Sequence, residues 1–245
     1  MTIEKTVPTL DQLSIKIFSD GADLDSIIET YQKGFAKGFT TNPTLMCRAG
    51  ITSYMTFAEE VLRVIKDLPV SFEVFSDDLA GMEYQAMKLA DLAENVHVKI
   101  PITNTQRESC CPLIAKLAQR GIKLNITAIL TMEQVHEVAD ALQPDVPAFV
   151  SVFAGRIADT GRDPIPYMVA SLERLKSLPA AELLWASPRE VLNIMQADRI
   201  GCHIITVTPD ILAKAAKFNM SLEDLSLDTV KMFYNDATRS GFTIA

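Results

Sequence analysis

The sequence has little positive charge and no long apolar run. Its 245 residues include 23 Lys and Arg against 31 Asp and Glu, which gives a net charge of −8. Nucleic-acid-binding and anionic-membrane-binding proteins need a basic surface that this composition does not supply. No apolar run reaches the ~20 residues of a membrane helix, and the first ten residues contain no signal-peptide core. We therefore expect a cytoplasmic protein with no membrane or nucleic-acid partner.

Cysteine and glycine motifs are also scarce. The cysteines at positions 47, 110, 111 and 202 have no CxxC spacing, so we expect reduced thiols. No His or Cys partners have the spacing of a zinc site. Glycine-rich dinucleotide and phosphate-loop motifs are absent, which disfavours an open nucleotide-binding sheet.

Short β-rich runs alternate with longer segments in which apolar residues recur every three or four positions. This alternation predicts βαβ units and a parallel sheet. Eight such runs without a break in composition favour the α/β class and a single (β/α)8 TIM barrel. The predicted strands are Ser14–Phe18, Gly38–Thr41, Val70–Phe75, Val96–Ile100, Lys123–Thr127, Ala148–Phe153, Leu183–Ser187 and His203–Thr206.

The end of the chain predicts one more amphipathic helix, over residues 222–239. We expect residues 1–245 to form one barrel domain, with 222–245 as a C-terminal helix and tail. The helix either covers the rim of the barrel or packs as an arm on a neighbouring subunit. We expect a homo-oligomer.

Lys99 is the most unusual strand residue, because it follows apolar neighbours near the end of the fourth predicted strand. A closed barrel has no edge strand from which a lysine reaches solvent, and burial favours the neutral, nucleophilic amine. Glu73, near the end of the third strand, needs a partner if it is buried, and Lys99 is the obvious one. His97, two residues before Lys99, faces the same side of the strand but lies deeper in the barrel. We interpret it as an interior histidine whose hydrogen-bonding groups have partners.

Further polar or chemically distinctive side chains occur at the ends of the other strands, where barrel enzymes carry their active sites. Taken singly, each has a structural explanation as a helix cap, turn or solvated residue. Their recurrence at successive strand ends favours a functional site. They are Asp20, Thr40, Asn42, Asn125, Thr127, Ser151, Phe153, Arg156, Ser187 and Arg189.

Seven segments, spread in order along nearly the whole chain, resemble the transaldolase family. The similarity is to its short bacterial branch, which also includes the fructose-6-phosphate aldolases. No segment is decisive alone, but their common order makes coincidence implausible. The matching stretches are 19–23 (SDGAD), 39–44 (FTTNPT), 71–74 (SFEV), 98–101 (VKIP), 124–127 (LNIT), 150–157 (VSVFAGRI) and 186–189 (ASPR).

The resemblance implies a barrel enzyme that forms a Schiff base with a ketose phosphate and needs no metal or organic cofactor. Lys99 is then the nucleophile. Glu73 and Thr127 hold the water that shuttles protons, and Asp20 takes the proton of the donor C4 hydroxyl. The implied partners are small sugar phosphates.

The resemblance also implies a set of substrate-binding residues. Asn42, Asn125 and Ser151 bind the hydroxyls of the three-carbon unit, and Thr40 and Phe153 complete its surroundings. Arg156, Ser187 and Arg189 bind a phosphate, for which guanidinium groups offer paired donors.

Two positions favour transfer of the three-carbon unit over its release. Transaldolases resemble this chain in having Glu73 and Phe153, where the fructose-6-phosphate aldolases have glutamine and tyrosine. Pro188 and Trp185 depart from the family pattern. They leave open the alternative that this protein is a relative of the transaldolases that acts on another phosphorylated or sulfonated sugar. Pro188 restricts Ser187, and Trp185 either narrows the pocket or packs in the core against the helices. A non-catalytic barrel that binds sugar phosphates is the alternative from a different class.

Overall fold

Eight parallel strands form the centre of the protein, which is described here from a computed structural model over residues 7–244. The strands pair in chain order, and the last pairs with the first, so the sheet closes. Helices alternate with the strands, which confirms the predicted (β/α)8 barrel. The strands are β1 (Lys16–Asp20), β2 (Phe39–Thr40), β3 (Val70–Glu73), β4 (Val96–Pro101), β5 (Leu124–Ile129), β6 (Ala148–Val152), β7 (Ala181–Trp185) and β8 (Ile204–Val207).

The helices form the outer layer, and several begin at a side chain that caps free backbone N–H groups. Asp23, for example, accepts a hydrogen bond from the Ser26 amide at the start of the first helix. The helices are α1 (Leu24–Gln32), α2 (Pro43–Arg48), α3 (Tyr54–Val64), α4 (Leu79–Ala90), α5 (Cys111–Gln119), α6 (Met132–Ala141), α7 (Ala154–Ala158), α8 (Ile165–Leu175), α9 (Leu192–Arg199), α10 (Pro209–Ala213) and α11 (Leu222–Ser240).

Two predicted strands were displaced by two residues along the chain. The first runs over Lys16–Asp20 because the amides of Ser14 and Ile15 bond to the Asp198 side chain instead of a neighbouring strand. The seventh ends at Trp185, since Ser187 has a φ of 61°, which extended backbone does not adopt. The alternation in β7 therefore does not continue to Ser187.

Apolar side chains fill the barrel below its open end. Phe18, Phe149, Leu184 and Ile204 form a buried cluster inside the ring of strands. The His97 ring stacks on Phe149 with its centroid 4.2 Å away. This packing seals the barrel interior beneath the polar residues at the carboxyl ends of the strands.

A separate apolar core lies between the barrel and its helices, and Trp185 packs in that core. It is 1% exposed, and its neighbours Leu184 and Ala186 face the barrel interior instead. Of the two alternatives for Trp185, packing in the core against the helices is therefore confirmed. Trp185 does not narrow the pocket.

The predicted C-terminal helix is present as α11, which Ser221 caps at its start and Gly241 ends with a φ of 65°. No residue of α11 is buried. Among residues 7–244, none of the helices combines the length and apolar character needed to cross a membrane.

Candidate active site

A cavity of about 650 Å³ opens at the carboxyl ends of the strands. Sugar-sized ligands bind in cavities of this scale, and barrel enzymes place their chemistry at this end. The structure brings all the sequence-predicted site residues together in its lining. They are Asp20, Thr40, Asn42, Glu73, Lys99, Asn125, Thr127, Ser151, Phe153, Arg156, Ser187 and Arg189.

Lys99 reaches the cavity from β4 and is only 7% exposed. Its Nζ lies 3.2 Å from Oε2 of Glu73, the neighbouring residue in the register of β3 and β4. The same Nζ donates a hydrogen bond of 3.2 Å to the Thr41 carbonyl oxygen. The amine is therefore largely removed from water, and a carboxylate stands next to it to receive a proton.

Tyr54 holds the end of β3 that carries Glu73. Its hydroxyl donates a 2.7 Å hydrogen bond to the Glu73 backbone carbonyl. Burial raises the pKa of Tyr54, so the hydroxyl stays protonated and remains a donor. This contact fixes the backbone from which the Glu73 side chain extends toward Lys99.

Asp20 is the last residue of β1 and carries the second carboxylate of the cavity. The Thr40 hydroxyl donates to its Oδ1 over 2.8 Å. Burial raises the pKa of Asp20, while Lys99 and the Thr40 hydrogen bond partly oppose that rise. The alternative explanation of Asp20 as a helix cap was wrong, because Asp23 caps α1.

Asn125 and Ser151 form a buried hydrogen-bonded pair on β5 and β6. Ser151 Oγ donates to Asn125 Oδ1 over 2.6 Å, and Asn125 Nδ2 donates to Ser71 Oγ over 3.0 Å. The Ser151 proton is thus committed, which leaves its oxygen as an acceptor. Asn125 keeps its second N–H as a donor. Together they present one donor and one acceptor to a bound hydroxyl.

The Thr127 hydroxyl is buried and has no hydrogen-bond partner within residues 7–244. An unsatisfied buried polar group is costly unless water or a ligand reaches it. Thr127 lines the cavity, where such a partner has access. The next residue, Ala128, has a φ of 62° at a register shift between β5 and β6, and such strained backbone often lies at functional sites.

Asn42 combines a structural role with a place in the cavity. Its Oδ1 accepts a 3.0 Å hydrogen bond from the Leu45 amide and caps α2. The side-chain NH₂ group is left for other partners. The structural alternative for Asn42 was a turn before Pro43; the side chain instead caps a helix, and it also lies at the site.

Helix α7, which follows β6, and the loop after β7 bring two arginines to one side of the cavity. The Arg156 guanidinium lies over the Phe153 ring, 5.5 Å from its centroid. Arg189 pairs through both carboxylate oxygens with Asp159, including a 2.9 Å bond from its Nε. This pairing lowers the pKa of Asp159 and orients the guanidinium of Arg189.

The backbone of α7 and the backbone of the loop after β7 are in close contact at Gly155. A Cβ atom at this position would lie 1.5 Å from the Ser187 carbonyl oxygen, so only glycine fits. Ser187 itself has a φ of 61° and precedes the buried Pro188. Gly155 therefore lets the phosphate-binding candidates Arg156 and Ser187 approach each other.

Sequence reasoning missed four residues at or beside the cavity. Thr206 and Ser71 follow the same inward strand pattern as the predicted residues, so that pattern contained a usable signal for both. Arg48 lines the cavity from the end of α2, and Asp159 contacts Arg189. No sequence pattern indicated these last two, because their positions depend on how helices lie over the barrel.

Comparisons with known proteins agree with this architecture. The family model described as "Transaldolase/Fructose-6-phosphate aldolase" matches residues 17–244. A "Probable transaldolase" of Thermoanaerobacter sp. (strain X514) is 30% identical over 94% of this chain and 100% of its own length. Another from Methanococcus maripaludis (strain C7) is 33% identical, covering 87% of this chain and 94% of its own.

One solved structure supports the fold alone. A "putative phosphonomutase" from Burkholderia cenocepacia J2315 superposes with a TM-score of 0.55 at 15% identity. The match covers 89% of this chain and 95% of that chain.

The raised pKa of Asp20 makes a pH-dependent stability prediction. Between the ordinary aspartate pKa and the raised value, the unfolded chain has lost this proton while the folded chain retains it. The contribution of Asp20 to the free energy of unfolding therefore falls as pH rises. We expect Asp20→Asn to gain stability relative to the wild type as pH rises above 3.8, the ordinary aspartate pKa, as measured by urea unfolding.

Asp159→Asn is the comparison variant, because its stability relative to the wild type should depend on pH in the opposite direction. The pKa of Asp159 is lowered, so its wild-type contribution is present above the ordinary pKa and lost as pH falls. The stability of Asp159→Asn relative to the wild type should therefore decline with rising pH. A pH-independent difference between Asp20→Asn and the wild type would contradict the assignment of Asp20 as a carboxyl with a raised pKa.

Proposed function

Because the chain belongs to the transaldolase/fructose-6-phosphate aldolase family, we propose that it is a transaldolase of the pentose phosphate pathway. It moves a dihydroxyacetone unit from sedoheptulose 7-phosphate or fructose 6-phosphate to an aldose phosphate. This reaction belongs to the cytoplasm. The observation that carries the proposal is the buried amine of Lys99, 3.2 Å from the Glu73 carboxylate, in one cavity with Asp20.

The first chemical step forms a bond between Lys99 Nζ and the ketose C2. Glu73 takes a proton from the ammonium, and the neutral amine attacks the carbonyl carbon. The C2 oxygen then leaves as water with two protons, the first from the ammonium and the second from the nitrogen now bonded to C2, both relayed by Glu73 through a water held at Thr127. The unpartnered Thr127 hydroxyl supports this placement of the water. The product is an imine between Lys99 and the sugar.

Asp20 performs the cleavage step. Its carboxylate accepts the proton of the C4 hydroxyl, and the electrons of the broken O–H bond form the carbonyl of the departing aldose phosphate. The electrons of the C3–C4 bond move into the imine, which becomes an enamine on Lys99. Transfer to an acceptor aldose runs the same steps in reverse.

Asn42, Asn125 and Ser151 retain the three-carbon unit between the two half-reactions. Asn125 donates to one hydroxyl and Ser151 accepts from another, as their internal hydrogen bond requires. A firm hold in a cavity closed from below by apolar packing disfavours attack by water on the imine. This favours transfer over hydrolysis.

Arg156, Ser187 and Arg189 bind the phosphate of donor and acceptor. Guanidinium groups present paired donors to phosphate oxygens. Asp159 already engages Arg189 and fixes the direction of its donors. This local cationic group explains how a chain of net charge −8 selects an anionic sugar.

Glu73 and Phe153 support transfer over release of free dihydroxyacetone. Phe153 lines the cavity as an apolar ring without a proton donor, so the enamine near it is not readily protonated. The fructose-6-phosphate aldolase reaction is the competing outcome, and a sulfonated sugar in place of the phosphorylated one is a variant of the same chemistry. A barrel that only binds sugar phosphates has no use for a buried amine.

The Schiff base at Lys99 is tested by trapping. Borohydride with fructose 6-phosphate should add one sugar-derived unit to the protein, and peptide mass spectrometry should locate it on Lys99. Lys99→Met should abolish trapping and lower turnover by more than ~10³-fold, as removal of a nucleophile does. Lys16→Ala, which removes an exposed strand lysine, is the control and should behave as the wild type.

Acceptor dependence separates the remaining functions. Transfer requires erythrose 4-phosphate, whereas a lyase releases dihydroxyacetone from fructose 6-phosphate alone. Release at equal rates with and without acceptor would assign the lyase reaction. Binding by calorimetry with neither trapping nor carbon exchange would show a non-catalytic barrel.

Phe153→Tyr tests the basis of the transfer preference. The added hydroxyl places a proton donor beside the enamine, so the fraction of turnovers that release free dihydroxyacetone should rise. Coupled assays of dihydroxyacetone and of transfer product measure this partition. Phe75→Tyr is the matched control, because Phe75 is 63% exposed and lies outside the cavity. An unchanged partition in Phe153→Tyr would show that Phe153 does not face the enamine.

We also propose that α11 packs on a second copy of the chain. Val230, Phe233, Tyr234 and Ala237 have helical spacing on one face, and the first three are 60%, 64% and 71% exposed. An apolar groove beside the base of the helix, lined in part by Leu192 and Met195, offers a complementary surface on the neighbouring copy. Head-to-tail contacts of this kind close into a ring when the rotation between copies is a whole fraction of a turn.

Light scattering measures the assembly directly. Phe233→Glu should reduce the oligomer to smaller species, and Asp236→Glu on the same helix is the control that keeps the charge. A wild-type monomer at micromolar concentration would contradict an α11-mediated assembly.

A further inference from the structure

Thr206 lies at the end of β8, next to the hydroxyl that contacts Asp20. Its Oγ1 is 2.5 Å from the Thr40 Oγ1, and the Thr40 hydroxyl donates in turn to Asp20 over 2.8 Å. Thr206 is 6% exposed and lines the same cavity. The three side chains form one chain of hydrogen bonds that crosses β8, β2 and β1.

Proton counting gives this chain a direction. A threonine hydroxyl has one proton, and Thr40 uses its proton on the Asp20 carboxylate. The contact between the two threonines therefore needs the Thr206 proton. Thr206 donates to Thr40, Thr40 donates to Asp20, and the ionised carboxylate is the final acceptor. Hydrogen bonds in such a chain polarise and strengthen one another.

We infer that Thr206 is a positioning residue that keeps the Thr40 hydroxyl directed at Asp20 and so maintains Asp20 as a carboxylate base. The inference rests on the proposed function for its kinetic consequence. Its structural content, a hydrogen-bond chain that ends on Asp20, does not depend on the substrate.

The surroundings of Asp20 explain why one donor matters. Burial raises the pKa of Asp20, and the Thr40 hydrogen bond and the Lys99 charge are the two influences that lower it. Glu73 opposes ionisation of Asp20. The other charged groups lining the cavity are Arg48, Arg156 and Arg189.

A valine–serine pair of variants tests the inference. Thr206→Val keeps the shape and removes the hydroxyl, whereas Thr206→Ser keeps the hydroxyl and removes a methyl. In Thr206→Val the acid limb of the pH profile of kcat should move to higher pH. At the pH of that limb kcat should fall roughly tenfold, because the charge-assisted hydrogen bond from Thr40 to Asp20 loses its support. KM should stay near the wild-type value, and Thr206→Ser should restore the profile.

Borohydride trapping of free dihydroxyacetone provides a second readout. This trapping forms the imine at Lys99 without cleaving a C–C bond, so it does not need Asp20 as a base. Thr206→Val should trap as efficiently as the wild type. A variant that loses trapping along with turnover, or a Thr206→Ser variant as impaired as Thr206→Val, would show a packing role and overturn the inference.

An NMR titration of ¹³C-labelled aspartate measures Asp20 without any substrate. The Asp20 carboxyl, identified by its absence in Asp20→Asn, should titrate at higher pH in Thr206→Val than in the wild type. Identical titrations would overturn the inference even if the protein is a transaldolase. If the wild type neither traps nor transfers a three-carbon unit, the proposed function fails, while the titration still decides the role of Thr206.

Discussion

The contact between Lys99 and Glu73 inside a closed ring of strands is the constraint on which the site depends. An amine taken from water is stable only with a partner, and the parallel register of β3 and β4 places Glu73 beside it. The same carboxylate is then available to exchange protons with the amine. Pairing offsets the cost of burying Lys99, and burial and pairing together prepare its amine for nucleophilic attack.

The barrel divides its interior into an apolar lower part and a polar upper part. Phe18, Phe149 and Leu184 exclude water from below, and the polar side chains at the strand ends face the open cavity. Hydrogen bonds among Asn125, Ser151 and Ser71 settle which atoms donate and which accept before any ligand arrives. Preorganised polar groups of this kind act without further cost of ordering.

The two carboxylates of the cavity differ in their surroundings. Glu73 is paired directly with Lys99, whereas Asp20 is supported by a hydroxyl of Thr40. Different partners allow one carboxylate to serve the amine and the other to serve the substrate. Placing acid and base roles on groups with different environments is a general way to run both at one pH.

The sequence by itself determined the fold class, the family and most of the polar residues that line the cavity, but not Arg48 or Thr206. Strand–helix alternation and polar residues at strand ends are local patterns, so they can be recognised in the sequence without knowledge of tertiary contacts. The strand limits were less predictable, because they depend on distant segments. The Ser14 amide bonds to the Asp198 side chain, and Ser187 has a φ of 61°. Trp185 faces the helices because side chains alternate along the strand and its neighbour Leu184 faces the barrel interior.

Only the tertiary structure decided how the site residues are connected. Asp159 is 30 residues from Arg189, and Thr206 is 166 residues from Thr40, yet each pair is in hydrogen-bond contact. Barrel closure between β1 and β8 and the packing of α7 against the next loop produce these pairs. Contacts between residues so far apart in the chain depend on the geometry of the closed sheet, which no local pattern encodes.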